Sequence, residues 1–169
     1  MLVHGYAPKY AEYVGRYLGH HRQLTIVEIG ILRGTGLAMW SDLFPSSRVI
    51  GLDIDLSHAR FNMPALKNMG AFGGSDPELY EFDQFAPDSG RLDTILKGGR
   101  VDICIDDATH ESGAIMQTLE HVMPHMSNSF VYFVEDNAAV CDEIRARYPG
   151  YEIESDGELT IISSSAPLG

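Results

Sequence analysis

Carboxylates gather where the apolar runs of this chain end. Ile105-Asp106-Asp107-Ala108-Thr109-His110 closes one β-rich run, and Glu135-Asp136-Asn137 closes the next. If those runs are adjacent parallel strands, their ends lie about 5 Å apart and Asp107, Glu135 and Asp136 converge on one point. Three carboxylates so placed repel unless a cation joins them. A hard divalent ion with oxygen ligands, most naturally Mg²⁺, resolves the conflict. The other reading is that acidic strand ends cap the following helices, a common use of Asp worth about 1 kcal/mol. His110 is then either a polar surface residue or, beside a hydroxyl that a metal has acidified, a base whose neutral imidazole takes the proton.

A second group of residues suits a ligand with phosphate- or sugar-like polarity. Glu28-Ile29-Gly30-Ile31-Leu32-Arg33-Gly34-Thr35-Gly36 has the spacing ExGxxxGxG at the end of an apolar run. It is either an ordinary tight turn or one that brings backbone N–H groups close to a ligand. Asp53 ends the next run, 25 residues after Glu28. A carboxylate at that place commonly accepts hydrogen bonds from both ribose hydroxyls, so turn and acid together point to a nucleoside-containing cofactor. Asp83 and Gln84, after a third run, could meet an adenine edge or simply belong to a loop.

These groups need a scaffold that brings strand ends together. Leu24 to Ile29, Arg48 to Asp53, Glu78 to Phe82, Val101 to Ile105 and Phe130 to Val134 read as strands covered on both faces, which implies a parallel sheet. Helical spacing fills Lys9 to Leu18, Gly36 to Leu43, Leu92 to Leu96, Ala114 to Val122 and Ala139 to Arg147. Alternating strand and helix predicts right-handed crossovers and a doubly wound α/β fold. Tyr151 to Glu154 and Glu158 to Ile162 flank Ser155-Asp156-Gly157, a hairpin signal that a plain dinucleotide-binding fold lacks. Asp55 to Asp76, with Pro64, Gly70, Gly73 and Gly74, reads as a long loop or mobile segment.

The 169 residues suffice for one domain, taken here as residues 1–169, with a core of ordinary size. A net charge of −12 sets the chain's own field against a nucleic-acid backbone, so nucleic acid is not an expected partner. No apolar run is long enough to span a membrane and no signal pattern opens the chain, so a cytoplasmic location is expected. Cys104 and Cys141 form neither a disulfide framework nor a metal pair and read as packing residues. His20, His21, His121 and His125 read as surface residues, whereas His4 and His58 are left undecided.

VEIGILRGTGLAMW, VIGLDID, FDQ, IDDATH and VEDN, in that order, resemble the metal-dependent sugar O-methyltransferases of antibiotic biosynthesis, including the macrolide and novobiocin glycoside enzymes and their cephalosporin-hydroxylase-like relatives. The likeness spans roughly residues 4 to 137, and its most specific part is IDDxxH followed 25 residues after the His by Glu-Asp. The resemblance implies a class I methyltransferase fold, a mostly parallel seven-stranded sheet with a C-terminal antiparallel hairpin. It implies S-adenosylmethionine as cofactor together with Mg²⁺ or Mn²⁺. Glu28, Gly30 and Gly34 match the first cofactor motif, Asp53 the ribose-binding acid and Asp83-Gln84 the pair near adenine, with Asp106 counted among the cofactor residues. Asp107, Glu135 and Asp136 match the metal ligands. His110 matches the general base, a role that a metal-site Asp such as Asp107 holds in a relative.

The activity so implied is methyl transfer to a hydroxyl of a sugar or glycoside, in a homo-oligomer. A catechol acceptor is the rival within the same fold, and a non-catalytic S-adenosylmethionine-binding module is the rival from another class. Two departures accompany the matches. The relatives usually carry a further N-terminal region or lid, whereas the first strand here begins near residue 24, so the acceptor site is expected to be short, open or completed by a second subunit. Thr35-Gly36 stands where the family usually has Gly-Ser, a change expected to alter cofactor affinity and not cofactor identity.

Overall fold

Apolar runs of about five residues, too short for helices and rich in β-branched side chains, are separated by segments with helical spacing, and each becomes the element its pattern favours. The computed structural model describes residues 5–18 and 23–164. Its elements are α1 (Ala7–Val14), continued by a 3-10 turn at Gly15–Tyr17, then β1 (Thr25–Ile29), α2 (Thr35–Leu43), β2 (Arg48–Asp53), α3 (Ser57–Asn68) and β3 (Glu78–Glu81). There follow α4 (Ser89–Leu96), β4 (Val101–Asp106), α5 (Ser112–Val122), β5 (Met126–Val134), α6 (Cys141–Arg147), β6 (Glu152–Asp156) and β7 (Leu159–Ser163).

The seven strands lie in the order β3-β2-β1-β4-β5-β7-β6. Strands β1 to β5 pair in parallel, while β7 runs antiparallel between β5 and β6. The doubly wound sheet and the terminal hairpin read from the sequence are both present. The chain winds outward from β1 in one direction and from β4 in the other, so the carboxyl ends of these two strands flank the crevice where such sheets take ligands.

Side chains alternate across the sheet and build a core on each face. Ile26, Ile103, Ile105, Val131 and Phe133 pack beneath α1, α2 and α3. Val27, Cys104, Tyr132, Val134 and Ile162 pack beneath α4, α5 and α6. Both cysteines are buried free thiols, as expected of packing residues. Among the described residues no helix is long and apolar enough to cross a membrane.

The segment expected as a long loop contains α3, a helix of 12 residues with Pro64 inside it. A proline in a helix interior removes one hydrogen bond and ordinarily costs about 3 kcal/mol, which is why the sequence argued against it. Ala59 and Leu66 are buried and Met63 packs against the same core, at spacings of four and three, and that narrow line holds the helix down. Strand β5 also begins four residues earlier than its apolar run, because Met126 pairs with Val101 ahead of the polar Ser127-Asn128-Ser129.

His4, His20 and His21 lie outside the described residues. His58 is exposed. His121 and His125, expected on the surface, are half-buried: His121 Nδ1 lies 2.8 Å from the Gln117 carbonyl oxygen and His125 Nδ1 3.7 Å from Asp93 Oδ1.

Candidate active site

Backbone hydrogen bonds continue past the strand ends and stitch the site residues to one another. Gly30 N donates to Leu52 O at 2.8 Å, Asp107 N to Ile29 O at 2.9 Å and Glu135 N to Asp106 O at 2.9 Å. Gly30 has φ +86°, and a Cβ there would overlap the Asp107 carbonyl oxygen, so only glycine lets the two backbones meet. Gly34 serves as the N-cap of α2.

A cleft of about 410 Å³ opens over these ends, lined in part by Gly30, Asp53, Asp83, Gln84, Asp107 and His110. Asp53 faces it while its carboxylate also holds the glycine turn: Oδ2 accepts from Ile31 N (2.9 Å) and Leu32 N (3.0 Å), and Oδ1 from Asp55 N (3.1 Å). Asp83 is exposed and accepts from Phe85 N at 2.9 Å. Gln84 is buried at the cleft wall, accepting from Thr109 N at 3.1 Å and donating to Asp106 Oδ1 at 2.6 Å.

Asp106 stands apart from its neighbour. Pleat parity puts it on the Cys104 face, with its carboxylate buried between Gln84 and Tyr132, whose hydroxyl donates to Oδ2 at 3.1 Å. Burial raises its pKa to about 6 against the hydrogen bonds that lower it. Asp106 is therefore tied to the cleft wall through Gln84 and through the backbone of Ala108.

Asp107, His110 and Asp136 each offer a ligand atom within 4.8 Å of the others. His110 Nε2 lies 3.1 Å from Asp107 Oδ1 and 4.0 Å from Asp136 Oδ2. His110 and Asp136 both have φ +56°, a conformation that costs a non-glycine residue of order 1–2 kcal/mol and tends to accompany function. Desolvation raises the Asp107 pKa, opposed by the hydrogen bond to His110. Glu135 is buried beside this group, not within it: its Oε1 accepts from the Tyr10 hydroxyl at 2.5 Å. Desolvation lifts its pKa and the Tyr10 hydrogen bond pulls it back. Glu28 lies on the same face, below the first turn of α2, where the lack of a Cβ at Gly36 leaves room for its carboxyl group. Its Oε2 is buried with no hydrogen-bond partner, and desolvation, followed by the charges of Asp107 and Glu135, raises the pKa to about 8.

Three residues of this site were given no role from the sequence. Tyr6 donates to Asp136 Oδ1 and Tyr10 to Glu135 Oε1, both at 2.5 Å. Tyrosines at 6, 10, 13 and 17 keep one helical face, and that spacing was the available signal. Asn137 Nδ2 donates to the His110 carbonyl (2.9 Å) and to Ser112 Oγ (3.1 Å), and its Oδ1 accepts from Val140 N at 3.1 Å. It clamps the turn after β4 to the turn after β5. Asn137→Ala should lower stability by about 2 kcal/mol and the Tm by roughly 4–8 °C, read by differential scanning calorimetry.

No family model matches the chain. Solved structures with the same architecture are methyltransferases, and the fold is that of class I methyltransferases. The mycinamycin-pathway methyltransferase MycE, solved with Mg and SAH, aligns over 100% of this chain and 53% of its own with a TM-score of 0.72 at 19% identity. TomG from Streptomyces achromogenes aligns over 95% of this chain and 81% of its own with a TM-score of 0.66 at 14% identity.

Among curated sequences, the mycinamicin VI 2''-O-methyltransferase of Micromonospora griseorubida is 26% identical over 92% of this chain and 35% of its own. A tetracenomycin-pathway rhamnosyl 3'-O-methyltransferase of Streptomyces olivaceus is 25% identical over 80% of this chain and 33% of its own. The resemblance read from the motifs therefore leads to the same group of proteins. The chain spans about a third of the length of these curated relatives.

Proposed function

We propose that residues 1–169 form a single S-adenosylmethionine-dependent methyltransferase domain that methylates a hydroxyl of a sugar or glycoside with the help of Mg²⁺ or Mn²⁺. The observation that carries this reading is the meeting of Asp107, His110 and Asp136 at the edge of a cleft that Asp53 and Gln84 also line. The donor set fits a divalent cation. Two carboxylates converge there, and Glu135 beside them adds negative charge that a cation relieves. Mg²⁺ and Mn²⁺ favour oxygen ligands, so Asp107, Asp136 and the adjacent Glu135 would hold the ion, leaving the His110 imidazole for proton transfer.

Glu28, Gly30, Gly34, Asp53, Asp83 and Gln84 would receive the cofactor, with Asp106 holding Gln84 in place. When bound, the cofactor supplies an electrophilic methyl group and the cation makes a nearby hydroxyl more acidic. His110 would take the acceptor's proton, and Asp107 Oδ1, 3.1 Å from its Nε2, would stabilise the resulting imidazolium. Asn137 keeps His110 in its left-handed conformation through the backbone carbonyl.

Titration calorimetry with S-adenosylmethionine, with and without Mg²⁺, followed by turnover on a panel of glycosides and catechols, tests the reading. Cofactor binding with metal-dependent methylation of a glycoside is expected. Absence of cofactor binding overturns it, turnover on catechols alone moves the acceptor class, and binding without any turnover favours a non-catalytic module. We also assign the chain to a cytoplasmic homo-oligomer. Leu32, Ile54 and Phe85 leave apolar surface exposed at the cleft rim, which a second copy would cover. A monomer in light scattering removes that part.

A further inference from the structure

We propose that Tyr6, at the N-cap of α1, and Tyr10 within it are positioning residues that aim the Asp136 and Glu135 carboxylates at the cation, an inference that rests on the metal-dependent reading above. Each phenol donates to one oxygen of its carboxylate, Tyr6 to Asp136 Oδ1 and Tyr10 to Glu135 Oε1. The other oxygen is thereby turned to a defined side: Asp136 Oδ2 is the one that faces His110 Nε2 at 4.0 Å. A neutral donor is suited to this task. A lysine or arginine would neutralise the carboxylate and compete with the ion, whereas a phenol orients it and leaves its charge in place.

The phenols are themselves fixed. Tyr6 and Tyr10 are each 5% exposed, and the Tyr10 ring packs against Phe133 and Trp40 with centroids 4.2 and 5.6 Å away. Asp136 holds φ +56°, so its carboxylate is set by the backbone from below and by Tyr6 from the side. The helix carries its own controls. Tyr13 donates to Glu154 on β6 at 2.6 Å, and Tyr17 donates to the Ser129 carbonyl at 3.2 Å, neither of them near the acidic group. If the tyrosines served only to fasten α1 to the sheet, losing any one hydroxyl would act alike.

The test measures Mn²⁺ affinity of the full chain by calorimetry and by electron paramagnetic resonance, alongside affinity for S-adenosylhomocysteine. Tyr6→Phe and Tyr10→Phe should each weaken Mn²⁺ binding by about 10- to 100-fold and leave S-adenosylhomocysteine within about twofold. Tyr13→Phe should leave Mn²⁺ affinity unchanged. Equal Mn²⁺ affinity in wild type and both cluster variants overturns the inference while leaving the metal site intact, as does a matching loss in Tyr13→Phe. A wild-type chain that binds no Mn²⁺ overturns the inference together with the reading beneath it. Should Tyr10→Phe fail to fold, Tyr6→Phe decides alone.

Discussion

Asp107→Asn should lower methyl transfer by about a thousandfold or more while leaving S-adenosylhomocysteine affinity within about twofold, a loss of about 4 kcal/mol of transition-state stabilisation. The substitution keeps shape and removes one charge. The backbone of Asp107 is the part that touches Gly30 and bonds to Ile29, so the cleft wall stays in place. Its carboxylate is the part that meets His110 and lies within 4.8 Å of Asp136, so cation affinity and imidazolium stabilisation fall together. His110→Ala should cost 10²- to 10⁴-fold through loss of the base alone and retain Mn²⁺ binding. Turnover rates with saturating metal, paired with calorimetric Mn²⁺ titrations, separate the two. Retained turnover in both variants removes the scheme in which these residues handle the acceptor's proton.

The centre of the sheet was readable in the sequence because β1, β2, β4 and β5 each carry a compact run of apolar residues needing cover on both faces, and the hairpin because Ser155-Asp156-Gly157 separates two short β-rich segments. Helix α3 was not. Its buried line is only Ala59, Met63 and Leu66, and Pro64 and exposed Phe61 outweigh it in any local reading. The acidic cluster was legible as composition at strand ends, but composition could not separate neighbours. Asp106 and Asp107 differ by one residue and hence by a face, and the Cys104–Asp106 parity that buries Asp106 toward Tyr132 could have been taken from the strand alone. The tyrosine contacts were beyond such reasoning. A stripe at 6, 10, 13 and 17 announces a helix face, whereas its partners at 135, 136 and 154 depend on how α1 lies across the finished sheet.

In metal-free buffer, stability should fall as pH rises from about 4.5 to about 8, and Glu28→Gln should take the largest single part of that fall away. The Glu28 carboxyl has its ordinary value of 4.5 in an unfolded chain and is pushed up to about 8 in the fold, first by desolvation and then by the charges of Asp107 and Glu135. Below the lower value both states hold the proton and stability is at its highest. Between the two values only the folded state holds it, so each pH unit costs up to about 1.4 kcal/mol. Above about 8 the penalty is complete, on the order of 3–5 kcal/mol. Asp106, raised to about 6, adds a smaller fall at lower pH that both proteins share, so the difference between wild type and Glu28→Gln reads Glu28 together with its charge coupling to Asp107 and Glu135. Urea denaturation at pH 5, 6.5 and 8 with a chelator present reads the slope. Mg²⁺ should shrink the wild-type slope, because a cation between Asp107 and its neighbours offsets the charges that hold Glu28 protonated. Parallel profiles for wild type and variant would mean that the Glu28 carboxyl is hydrated, and its unpartnered oxygen would then have water beneath α2 in place of a proton.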